Sequence, residues 1–80
     1  MKMNNQTYNY IFGSLVGLMN RKKIDPISNY IIEQIDDNKN LTDIERIIKG
    51  ILVNNVDEDK ERQAVRVAKD ISIFIYNNSK

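Results

Sequence analysis

The segment DEDKERQAVRVAKDISIFIY (57–76) decides the fold. Its first part has helical spacing: Ala64, Val67, Ala68 and Ile71 recur every three or four residues, and the stripe continues to Phe74 and Ile75. Asp57, Glu58 and Asp59 open it, three acids at the end where a helix dipole favours negative charge. Glu58 stands four residues before Arg62, the spacing of a helical ion pair. Residues 71–76 are less decided, because they are β-branched and aromatic and their alternation suits a strand equally well. A strand needs a partner, however, and only Ile51, Leu52 and Val53 have comparable character. Helix is therefore the reading across 58–77.

Working outward, three more segments carry the same period. Over 6–20, Tyr8, Ile11, Phe12, Leu15, Leu18 and Met19 form one stripe. Gly13 and Gly17 lie four apart in this span, and close approach of another helix would compensate their poor helix propensity. The basic run Arg21, Lys22 and Lys23 then falls at the C-terminal end, where cations suit the dipole. The second helix is expected over 26–36, with Asp25 as N-cap, Pro26 at the first helical position and a buried line of Ile27, Ile31 and Ile35 flanked by Tyr30 and Ile32. The third spans 43–54. Thr42 and Glu45 have capping-box spacing, and Ile44, Ile47, Ile48, Ile51 and Leu52 face inward. Asn54 and Asn55 close it, since Asn tolerates the left-handed conformation. The turn-prone connectors are short and suit antiparallel neighbours. The prediction is one all-α domain over 1–80, a compact bundle of four short helices.

Composition narrows the function. Eighty residues lie near the lower limit for a single unaided core, so self-association or a partner is one route to more buried area. With no Cys there is no disulfide and no thiolate metal site, and with no His the commonest metal ligand and neutral-pH general base are missing. A formal charge of +1 gives no strong global pull toward DNA or anionic lipid. The longest apolar stretch, residues 11–19, falls far short of the ~20 residues of a membrane span. The polar start before Tyr8 shows no signal-peptide pattern, which points to a cytoplasmic protein. Ile, Asn and Lys supply 32 of the 80 residues, and their A/T-rich codons suggest a low-GC bacterium or its mobile element.

No catalytic constellation emerges. The acidic clusters, Asp36 with Asp37 and Asp57 with Glu58 and Asp59, sit at predicted helix ends and lack calcium-loop spacing. The stretch from Gly13 to Gly17 lacks the Lys-Ser/Thr of a phosphate loop. An enzyme is not expected, nor is a metal, a cofactor or a small-molecule substrate. A basic ridge of Arg62, Arg66 and Lys69, with Arg21, Lys22 and Lys23 as a second cluster, suits phosphate contacts. A small DNA- or RNA-associated regulator is accordingly the alternative function.

The leading expectation is a non-enzymatic protein-binding module, since each helix has apolar residues beyond one stripe. Tyr10, Val16, Tyr30, Ile32, Val53, Val65, Ile73 and Tyr76 are more than four short helices readily cover. Tyr8, Tyr10, Ile73, Phe74 and Tyr76 are the candidate contacts with a protein partner or a second copy. In size, charge and architecture the chain resembles small helical regulatory, antagonist and immunity proteins of bacterial mobile elements, bacteriocin-immunity bundles among them. The likeness is one of format, carried by no motif, and it implies an inhibitory, regulatory or immunity-type accessory role.

Overall fold

Residues 71–76 are helical in the computed structural model, which describes residues 5–35 and 40–78. Four α-helices follow one another: α1 (Asn5–Leu15), α2 (Arg21–Gln34), α3 (Leu41–Val53) and α4 (Glu61–Asn78), the last entered through a 3-10 turn, Glu58–Lys60. In the disputed stretch Ile71, Ser72 and Ile75 are buried while Ile73 is 40% exposed. That spacing belongs to a helix face and not to a two-residue alternation. The hydroxyl of Ser72 donates to the Ala68 carbonyl at 2.6 Å, so this buried polar group is satisfied within its own helix.

Among the described residues the helices form a ring. Each packs on its neighbours in the chain, α1 closes the ring against α4, and the α3–α4 contact is the most extensive. The Cα extents of 34 × 23 × 16 Å fit two layers of helices. The core is aliphatic. Ile11 and Leu15 of α1, Ile24 and Ile31 of α2, Ile44, Ile48 and Leu52 of α3, and Ala64, Ala68, Ile71 and Ile75 of α4 are each at most 2% exposed. Thr7 and Ser28 join them as buried polar residues.

The largest departure from the sequence reading lies between the first two helices. α1 stops at Leu15, and Gly17 turns the chain with φ of +87°, a conformation that costs an L side chain about 1–2 kcal/mol. Leu18 is buried from this turn, which is why it imitates a helical stripe. Asn20 caps α2 by accepting the Lys22 N–H at 2.9 Å, so α2 begins five residues before the expected start. Arg21, Lys22 and Lys23 therefore open α2 instead of closing α1, at the end where the dipole disfavours cations. Asp25 and Pro26 lie inside α2, where neither caps it, and Pro26 leaves the Lys22 carbonyl without its usual helical donor. The inner line of α2 is Ile24, Ser28, Ile31 and Ile35, with Ile27 only half-buried.

Smaller corrections follow the same logic. α3 is capped by Asn40, whose side chain accepts the Asp43 N–H at 2.9 Å, and not by Thr42. Asp43 in turn holds Arg46 at 3.0 Å. Asn54 ends α3 with right-handed torsions, while the Asn55 amide donates to the Ile51 carbonyl at 2.7 Å. No ion pair joins Glu58 to Arg62, because the 3-10 turn breaks the α-helical spacing between them. Lys60 instead donates to the Gly17 carbonyl at 2.8 Å and ties the entry of α4 to the α1–α2 turn.

The expected helix approach at Gly13 is absent. A Cβ there, or at Gly50, would meet nothing within 4 Å. Gly50→Ala should therefore stabilise the protein by about 0.5–1 kcal/mol, whereas Gly17→Ala should destabilise it by about 1–2 kcal/mol. Urea denaturation of both variants against the parent chain checks this opposition in sign.

Candidate protein-interaction surface

Where α1 lies against α4, the rings of Tyr10 and Phe74 stack nearly parallel, with centroids 4.0 Å apart and planes 8° from each other. The arrangement follows from helix geometry. Asp70, Ile73, Phe74 and Asn77 share one side of α4 at three- and four-residue spacing, and the α1–α4 contact brings Tyr10 to that side. Together with Asn78 these residues line a shallow groove of about 240 Å³. Tyr10 is 37% exposed, so the groove has one aromatic wall accessible to solvent beside the apolar Ile73. The Asn78 side chain donates to the Phe74 carbonyl at 2.8 Å and helps to hold the last turn beneath the ring pair.

The five expected contact residues thus divide. Tyr10, Ile73 and Phe74 come together. Tyr8 turns to α2, where its hydroxyl donates to the Asp25 carboxylate, and its ring lies 6.1 Å from that of Phe12. Tyr76 is half-buried against the core. Sequence reasoning missed Asp70, Asn77 and Asn78, although Asp70 and Asn77 stand three and four residues from Ile73, a spacing that marks helical neighbours. Of the other surplus apolar residues, Ile32 and Val53 pack on the core, while Val16, Tyr30 and Val65 are exposed on different elements.

The basic residues also divide. Arg62 and Arg66 line a second hollow on α4, of about 470 Å³, together with Asp59, Gln63, Val67 and Asp70. Lys69 is exposed on the same helix. Lys23 belongs to a different hollow with Asn20, Asn55 and Asp57, so the two cationic clusters do not share one cavity. Asp36 and Asp37 lie outside the described residues. Among the described residues no cluster of three or more acids is placed to hold a metal ion, and no helix is long and apolar enough to cross a membrane. No protein family, curated protein or solved structure matches the chain.

The Tyr8 phenol has a displaced titration. Its hydrogen bond to Asp25 contributes most, followed by partial burial and then by the Asp25 charge; each raises the phenol above its ordinary value of 10.0. Folding thus favours the protonated phenol. This contribution is complete below pH 10 and is lost as pH rises through the raised value. Tyr8→Phe should consequently be less stable than the parent near neutrality, and the gap should shrink or reverse in strong alkali. Urea midpoints of the two proteins in neutral and strongly alkaline buffer test this, and an unchanged gap would refute the Tyr8–Asp25 tie.

Proposed function

We propose that this chain is a non-enzymatic protein-binding module that docks through the α1–α4 edge. The observation that carries this reading is the Tyr10–Phe74 ring pair, with Tyr10 37% and Ile73 40% exposed at a groove mouth. Aromatic side chains held rigidly beside an apolar neighbour make good binding anchors, because little side-chain entropy remains to be lost on docking. Asp70, Asn77 and Asn78 provide a polar rim around them. The absence of His and Cys from the sequence agrees with a role that rests on binding. A regulatory, inhibitory or immunity-type accessory protein of a low-GC bacterium or its mobile element, acting in the cytoplasm, is the setting in which we place it.

Nucleic-acid binding draws less support. Arg62 and Arg66 share their hollow with Asp59 and Asp70, and carboxylates beside the cations oppose a phosphate backbone.

Replacing Tyr10 and Ile73 by Ser tests the docking surface. Both residues are more than one-third exposed, so the double variant should keep its helical circular dichroism. It should also lose the protein, a host partner or an untagged second copy, that the parent chain retains in affinity capture. Equal retention by parent and variant would remove the α1–α4 edge as the docking site.

A further inference from the structure

We infer that this surface takes a second copy of the same chain, paired across a two-fold axis with the two α4 helices antiparallel. The inference rests on reading the α1–α4 edge as a protein-docking surface, and it follows from how charge is laid out along α4. The N-terminal half of the outer face carries Arg62 and Arg66, and the C-terminal half carries Ile73 and Phe74 beside Tyr10. Asp70 lines both hollows, so they form one continuous strip with Arg62 and Arg66 beside Asp59 at one end and the aromatic rings at the other. Arg66 and Asp70 stand four apart on the helix, yet among the described residues neither has an ion-pair partner, nor do Arg62 and Lys69.

A two-fold interface requires a patch complementary to itself. In antiparallel pairing, the numbers of facing residues add to a constant. Setting Arg66 opposite Asp70 of the second copy places the axis at the level of Ala68, and Arg62 then stands level with Phe74. Both matches suit arginine. Its guanidinium forks onto a carboxylate, and it also stacks on an aromatic face such as the Tyr10–Phe74 pair. Symmetry repeats each match, so four guanidinium contacts form. Ile73 then lies opposite Gln63, which places an apolar side chain beside each aromatic contact.

An 18-residue helix is about 27 Å long, and one such strip is smaller than the ~800 Å² per partner of a standard interface. The pairing is therefore weak, reversible and sensitive to salt.

Sedimentation velocity over a series from low micromolar to submillimolar chain provides the test, with circular dichroism confirming the fold of every variant. The parent chain should pass from monomer toward dimer. Asp70→Arg and Arg66→Asp should each weaken association about tenfold or more by facing like charges, and the double exchange should restore it. A monomer at every concentration overturns the inference, as does a dimer indifferent to both single reversals or a double exchange no better than either single. These outcomes are separate from the docking reading, which stands or falls on the capture result for the Tyr10 and Ile73 variant.

Discussion

The packing of α3 on α4 is the contact on which the rest of the structure depends. α4 presents Ala64 and Ala68 fully buried on its inner face, followed by Ile71 and Ile75, while α3 contributes Ile44, Ile48 and Leu52. Two alanines a turn apart carry nothing beyond Cβ, so the helix axes can approach closely while the larger side chains of α3 fill the space. Among the described residues this is the most extensive helix pair. α1 then closes on α4 and α2 bridges α1 and α3, completing the ring. In a chain this small, with no disulfide, such a pair supplies much of the cooperativity.

The same packing produces the surface. Because α4 is held by its inner face, its outer face is set in a fixed register, with Arg62, Arg66, Asp70 and Ile73 along it. The docking of α1 places Tyr10 over Phe74, and the two rings support one another without closing the groove beside them. One helix therefore serves two purposes, an aliphatic spine within and a charged and aromatic strip without. The proposed docking draws on an edge that the core prepares.

Much of this was legible in the residues. The apolar period of α3 and α4 is strong, and the lack of a pairing partner argued correctly for helix over 71–76. The errors concentrate between residues 15 and 26. There Leu18 extends the apolar period from inside a turn, and Asp25 with Pro26 offers a helix start more conspicuous than the Asn20 cap the chain uses. Local signals of similar strength compete at such points, and tertiary burial of Leu18 and Ile24 selects between them. Ser28 and Thr7 were invisible as core because their types are usually exposed. The surface was half legible. Exposed aromatics suggested contacts, but only the α1–α4 approach reveals that Tyr10 and Phe74 meet while Tyr8 and Tyr76 serve the fold.

Native-state amide hydrogen exchange along α4 tests the central claim most directly, since one continuous helix must carry both the core and the strip. The account predicts that the amides of Ala68, Ile71, Ser72 and Ile75 exchange only through global unfolding, with protection equal to that of Ile48 and Leu52 in α3. Protection that ends near residue 70, with the following turns opening at much lower free energy, would contradict it. The Tyr10–Phe74 edge would then lack the rigid support on which this reading of the molecule depends.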